Sequence, residues 1–276
     1  MSLPGTTLRR VETIDPRTKA GYVLDRSDEF SGADLDRELW LPHHLPQWSS
    51  LAESAARYRL QAGRLHLAIE EDQRPWCPEF DGGTCVSSLQ TGVFAGPVGS
   101  AVGQHRFTPD AVVRQEQENR RLYTPEYGYV ECRAAVTDDP SSMCALWMIG
   151  YEDQPDRSAE ICVFEIFGRD VRPDGAAVGM GLHPFGDPRI TDSFARHPVA
   201  VDVREFHDYA VEWTPEGTAF FVDGACVTVV DQAPAYPMQF MLGIYAFPGD
   251  DGTLPPPSSP RELVVDRFRA YRRGGG

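Results

Sequence analysis

The chain has 276 residues, and its 41 Asp and Glu against 26 Lys and Arg give a formal net charge of -15. That balance excludes nucleic acid as a partner class, because neutralising phosphates requires clustered basic side chains. No stretch approaches the roughly 20 consecutive apolar residues of a membrane helix, and 25 Gly with 23 Pro favour many turns over long helices. Apolar residues make up 41% of the chain, enough for a sizeable core, and the length suits one large all-β domain.

Met1–Ala20 is polar, lacks an apolar h-region and reads as a loose arm. It shows no signal peptide, which points to a cytoplasmic chain or a trimmed secreted form. From residue 21 to 272 strand signals recur at short intervals with turn residues between them. The predicted strands are Arg64–Ile69, Cys85–Phe94, Tyr127–Thr137, Met143–Ile149, Glu160–Phe167, Ala176–His183, His207–Thr214, Thr218–Val222, Ala225–Val229, Gln239–Phe247 and Leu263–Arg272. Asp34–Trp40 suits a single helical turn, Arg114–Arg121 a loop or short helix, Pro248–Pro260 a loop, and Gly274–Gly276 a disordered tail. Many short strands without interleaved helices predict a single two-sheet β-sandwich of the jelly-roll kind. The six cysteines have no C-x-x-C spacing and read as free thiols, with Cys77–Cys85 and Cys132–Cys144 the most plausible bridges. Lys19 is the only lysine, a usage we ascribe to codon bias.

The segment Glu160-Ile-Cys-Val-Phe-Glu165 carries the chemistry. Strand side chains alternate faces, so Glu160 and Cys162 share one, while Glu165 in a regular strand would point the other way. One β-bulge between Cys162 and Glu165 returns it to their face. Ile161, Val163 and Ile166 then mostly point into the core. Two carboxyls on an apolar strand are costly unless they face a cleft or take up a proton. Paired carboxyls are also what glycoside cleavage needs: one attacks or stabilises the anomeric carbon while the other protonates the leaving oxygen. Two solvated glutamates on a strand edge are the plain structural alternative.

At this strand the chain resembles glycoside hydrolase family 16, the laminarinase and lichenase group, whose members carry Glu-x-Asp-x-(x)-Glu. Further matches follow in order: Tyr127-Gly-Tyr-Val-Glu-Cys-Arg133, Ala145-Leu-Trp-Met148, Gly181-Leu-His-Pro-Phe185, Phe206-His-Asp-Tyr-Ala-Val-Glu-Trp213, Phe221-Val-Asp-Gly224 and Val265-Asp-Arg-Phe-Arg-Ala-Tyr271. The resemblance spans about residues 25–272. It implies a concanavalin A-like jelly roll with a concave cleft. It implies Glu160 as nucleophile and Glu165 as acid/base of a retaining reaction. It places Glu131 and Arg133 on sugar hydroxyls, Trp147 as an aromatic platform, and His183 beside the nucleophile. Alternation places Gln239, Met241, Gly243 and Tyr245 on one face, which makes Gln239 and Tyr245 cleft candidates. The family's Asn is missing at Gly243. No cofactor is required; a structural calcium at Asp266 and the backbone near Glu29 is the one metal the resemblance suggests.

The resemblance also puts Cys162 where the family has its central acid. A thiol flanked by two carboxyls is expected to stay neutral and to donate one weak hydrogen bond to Glu160. The expected function is an endo-acting β-glycanase, most readily on β-1,3-glucan, acting as a monomer on a polysaccharide or oligosaccharide partner. The alternatives are a lectin-like binder that has lost catalysis, and a transglycosylase using the same residues. The loops Gln73–Gly83, Pro97–Gln104 and Phe185–Pro198 would set linkage preference; they least resemble familiar members.

Overall fold

The computed structural model describes residues 14–275, so residues 1–13 of the predicted arm and Gly276 lie outside the described residues. The strands in chain order are β1 (Tyr22–Asp28), β2 (Tyr58–Gln61), β3 (Arg64–Ala68), β4 (Cys85–Gln90), β5 (Gly92–Val93), β6 (Arg120–Arg121), β7 (Gly128–Ala135), β8 (Ser142–Gly150) and β9 (Glu160–Phe167). They continue with β10 (Val171–Arg172), β11 (Gly175–His183), β12 (Ala195–Val199), β13 (His207–Thr214), β14 (Gly217–Val222), β15 (Ala225–Val230), β16 (Met238–Ala246) and β17 (Glu262–Arg273). Among the described residues a single-turn α-helix, Pro78–Asp81, and two 3-10 turns, Pro46–Trp48 and Gly168–Asp170, interrupt them. Asp34–Trp40 is a turn closed by Trp40 N–H to Asp36 O. The 114–121 segment is loop, apart from β6.

All pairings are antiparallel. The first sheet runs β15-β14-β13-β7-β17-β3-β2, with β1 also on β17; the second runs β10-β11-β9-β8-β16-β4, with β12 also on β11. The protein is thus the predicted all-β, two-sheet sandwich. One core fills the space between the sheets. Val130, Cys132 and Ala134 of β7 meet Leu146 and Met148 of β8, Ile161, Val163, Phe164 and Ile166 of β9, and Phe240 and Leu242 of β16. The side chains at intervening positions therefore face outward from each sheet. A second cluster, including Trp48, Trp76, Trp147, Met241 and Tyr245, lies on the outer face of the second sheet, where loops fold over it.

The described part of the predicted arm is docked. Ile14 N–H donates to Glu212 Oε2 at 2.9 Å, and Lys19 Nζ reaches Glu131 Oε2 at 3.0 Å while lying 5.2 Å from the Tyr271 ring centroid. The single lysine therefore has a structural task that composition did not disclose. At the other end Gly274 N–H donates to Gly21 O at 2.8 Å, so that residue of the expected disordered tail extends the β1–β17 pairing. All six cysteines are free, the two plausible bridges included.

The 248–260 loop is anchored by charge. Asp139 accepts from Arg261 Nε at 3.1 Å, from Ser258 N–H at 2.9 Å and from Ser142 Oγ at 3.1 Å; the Asp139 and Arg261 side chains are only 2% and 5% exposed. Asp139→Ala strands a buried guanidinium, which typically costs about 3–5 kcal/mol. Calorimetry is expected to show Tm falling by on the order of 10 °C for a domain of this size. An unchanged Tm would refute the anchoring role.

Candidate active site

β9 bears the bulge its sequence requires. On the β8 side Leu146 pairs with Phe164 but Trp147 pairs with Cys162, leaving Val163 as the extra residue. On the β11 side Gly179 pairs with Glu165 and Gly181 with Cys162, the same step. Val163 and Phe164 both enter the core, which turns Glu160, Cys162 and Glu165 to one face. Cys162 Sγ donates to Glu160 Oε1 at 3.0 Å and lies 3.9 Å from Glu165 Oε1. One ligand atom from each of the three lies within 4.8 Å of the others.

Bare backbone on β11 makes room beside them. Gly181 sits at φ +136°, where a Cβ would stand 2.5 Å from Ser193 O. The Ser193–Phe194 segment can therefore cross β11 at this level. Phe194 then stacks on His183, with ring centroids 4.6 Å apart. His183 is the strand partner of Glu160, and its Nδ1 pairs with Asp192 Oδ2 at 3.1 Å.

Burial governs the electrostatics. Glu160, 5% exposed, has its carboxyl pushed up to about 8, chiefly by burial; the Cys162 hydrogen bond opposes the rise and the Glu165 charge adds to it. Glu165 is also raised by burial, with His183 and Arg196 pulling it back. The Cys162 thiol is held far above its ordinary range, first by burial and then by the two glutamates, and so stays neutral. The trio is better described as carboxyls sharing protons than as a cation site.

The other expected site residues divide. Trp147, Met241 and Tyr245 lie on the catalytic face. Trp147 donates from Nε1 to Tyr245 OH at 3.0 Å and packs 4.8 Å from the His105 ring; it is floor, 6% exposed, not an open platform. Gln239 points the predicted way but is sealed. It accepts from Gln104 Nε2 at 2.6 Å under the loop and cannot reach a sugar without moving it.

Glu131 and Arg133 are misplaced by the resemblance. They alternate with core residues Val130, Cys132 and Ala134, but on a strand of the first sheet. Their side chains therefore leave the sandwich on the side opposite Glu160. There Glu131 binds Lys19 and accepts from Tyr271 OH at 3.1 Å, and Arg133 pairs with Asp208 at 3.0 Å. Asp266 fails as a calcium ligand, because its carboxylate faces Arg64 at 3.3 Å, Arg133 at 3.8 Å and Arg267 at 3.4 Å. Glu29 is held by Arg269 at 2.7 Å.

Two histidines that sequence reading missed complete the floor. His44 lies 5.4 Å from the Tyr245 ring, and His105 lies over Trp147. The Nδ1 atoms of both are buried without a partner. Burial lowers His44 to about 3 and His105 to about 4, so both are neutral imidazoles. Their one sequence signal is that each lies in a loop between strands, far from the motif in the chain.

Residues 119–255 match the model of Glycosyl hydrolases family 16. This chain belongs to that family. Among solved structures, a GlcNAcα1-4Gal releasing endo-β-galactosidase from Clostridium perfringens is 31% identical, with TM-score 0.78, over 95% of this chain and 65% of that one. The family 16 fold is shared with an endo-1,3-beta-glucanase (laminarinase) catalytic domain from Thermotoga petrophila, at 16% identity and TM-score 0.61, over 92% of this chain and 99% of that one. The endo-1,3-1,4-beta-glycanase EglC of Rhizobium meliloti is 29% identical over 156 residues, 54% of this chain and 31% of its own length. The chain thus spans about a third of that curated relative.

Glu152, near this site, supplies a stability test. Its carboxyl is raised to about 8 by burial, against the hydrogen bond from His105 N–H. The folded state therefore keeps a proton that the unfolded chain releases above about pH 4.3. The stability linked to Glu152 is full below that value and is lost as pH rises through 8. Glu152→Gln is expected to raise Tm relative to wild type at pH 8.5 and to change it little at pH 4.5. Equal shifts at both pH values in thermal melts would contradict this.

Proposed function

We propose that this chain is a retaining, endo-acting glycoside hydrolase. The observation that carries the reading is the bulged meeting of Glu160 and Glu165, with carboxylate oxygens within 4.8 Å. A retaining pair needs carboxyls about 5–5.5 Å apart, whereas inversion needs about 6.5–9.5 Å to admit a water between them and the sugar. In the first step Glu160 attacks the anomeric carbon while Glu165 passes its proton to the leaving oxygen. In the second Glu165 takes a proton from water, which displaces the sugar from Glu160.

Two backbones compete as substrate. β-1,3-Glucan suits the motif set, but the laminarinase likeness is one of fold. A β-galactoside backbone is favoured by the 31% identity over 95% of the chain to an endo-β-galactosidase. Reducing-sugar release from laminarin, lichenan, agarose, carrageenan and a glycan ending in GlcNAcα1-4Gal tests both, with Glu160→Gln as control. Binding without release by any of them would replace the hydrolase with the lectin-like reading. Oligosaccharide products longer than the starting chain would indicate transglycosylation.

A further inference from the structure

The Glu160 side of the trough adjoins a cavity of about 460 Å³ bounded by Val102, His105, Glu152, Pro155, Ser158 and Phe185. Its size lies within the roughly 300–1,000 Å³ typical of small-molecule sites.

Backbone, polar and apolar features of these residues converge there. His105, Glu152 and Phe185 hold φ values of 49°, 56° and 44°. Non-glycine residues rarely adopt this region, and such strain concentrates at ligand sites. His105 Nδ1 is buried and unpartnered. Glu152 Oε1 accepts the His105 N–H at 2.5 Å, and among the described residues no other donor reaches that carboxyl. Phe185 is 49% exposed, an apolar ring left open 4.7 Å from the His105 ring and 6.2 Å from that of His183.

The complement to these walls has three parts. It has a ring face for Phe185, a methyl-bearing group for Val102 and Pro155, and an amide for Glu152 and His105. We propose that the cavity seats a sugar carrying an acetamido group, at the end of the glycan held by the catalytic trough. The assignment rests on reading that trough as a glycan site. A plain hexose would turn hydroxyls toward Val102 and Pro155, where a hydroxyl buried without a partner is unfavourable. The acetamido methyl gains from the same burial. Its N–H and carbonyl meet a carboxyl that, being raised to about 8 by burial, carries a proton at neutral pH and so both donates and accepts.

Saturation-transfer NMR on the full chain tests this with millimolar N-acetylglucosamine, N-acetylgalactosamine, glucose and galactose as probes. The acetamido methyl of one amino sugar is expected to be its most strongly saturated group, with the two hexoses giving little transfer. Phe185→Ala and, separately, Val102→Trp, which fills the mouth from an exposed position, should each cut the methyl signal at least fivefold. Equal transfer to hexoses, a signal that survives both substitutions, or no signal from any sugar overturns the proposal. The measurement uses no turnover. Polymer cleavage without a methyl signal therefore sinks this assignment alone. A methyl signal without cleavage supports the assignment and sinks the hydrolase reading.

Discussion

Glu160→Gln is expected to lower glycan cleavage by on the order of 10³-fold or more while leaving the protein folded. Glutamine keeps the shape of the side chain and an oxygen to accept from Cys162, whose Sγ now lies 3.0 Å from Oε1, but it cannot form the glycosyl ester. It also removes a group whose burial disfavours charge, so Tm at pH 8 should hold or rise. Loss of activity with loss of fold would say nothing about chemistry; loss with an intact or higher Tm isolates the carboxylate. Cleavage within a few-fold of wild type would end the assignment.

The partner variant decides the order of roles. Glu165→Ala should keep its first step on a dinitrophenyl glycoside, whose leaving group needs no acid, and should stall at the glycosyl-enzyme. Azide, which needs no base, then restores turnover and gives a glycosyl azide of retained configuration. Two arguments pull against each other here. The motif order makes Glu160 the nucleophile. The charges around the pair favour ionised Glu165, because His183 and Arg196 act on it, whereas only the Cys162 thiol opposes protonation of Glu160. The two carboxyls titrate as a pair, and the first proton lost belongs to both. We keep the motif order, since a bound sugar brings positive charge to the anomeric carbon between them. Retained azide from Glu160→Ala instead of Glu165→Ala would reverse it.

How far the sequence went is clearest from individual strands. The bulge in β9 was legible because two carboxyls five apart on an apolar strand have one low-cost way to face the same side. The alternation in β16 was legible too, and put Met241 and Tyr245 on the catalytic face. Alternation does not say which sheet a strand joins. Glu131 and Arg133 share a face as expected, yet β7 pairs with β13 and β17, which sends that face to the far side of the sandwich. Gln239 failed for a different reason: its direction was right, but the 104 loop that covers it is remote in sequence. His44 and His105 were missed on the same ground, because loop paths over the second sheet depend on tertiary packing and leave no periodic trace. Asp266 failed because its three arginine neighbours come from three places in the chain, positions 64, 133 and 267.

Cys162 should control the pH at which the enzyme works. Cleavage needs one ionised and one protonated carboxyl. Both carboxyls are raised by burial and titrate as a pair, so kcat/KM is expected to show an acid limb where the pair loses its first proton, with activity falling below it. The thiol hydrogen bond stabilises the ionised form, so Cys162→Ala should move that limb to higher pH. Cys162→Asp acts oppositely. Buried between two carboxyls, the new acid keeps its proton and donates a stronger hydrogen bond than a thiol does, which favours ionised Glu160 and moves the limb down. A shift of about one pH unit corresponds to about 1.4 kcal/mol, so well below the limb the aspartate variant should exceed wild type about tenfold, with little change at the plateau. The competing outcome has a distinct sign: an aspartate that ionises first would repel charge on Glu160 and drive the limb upward. A pH–rate profile that moves up, or that stays in place with Asp, Ala and Cys alike, would remove Cys162 from the proton arrangement and leave it as packing between the two glutamates.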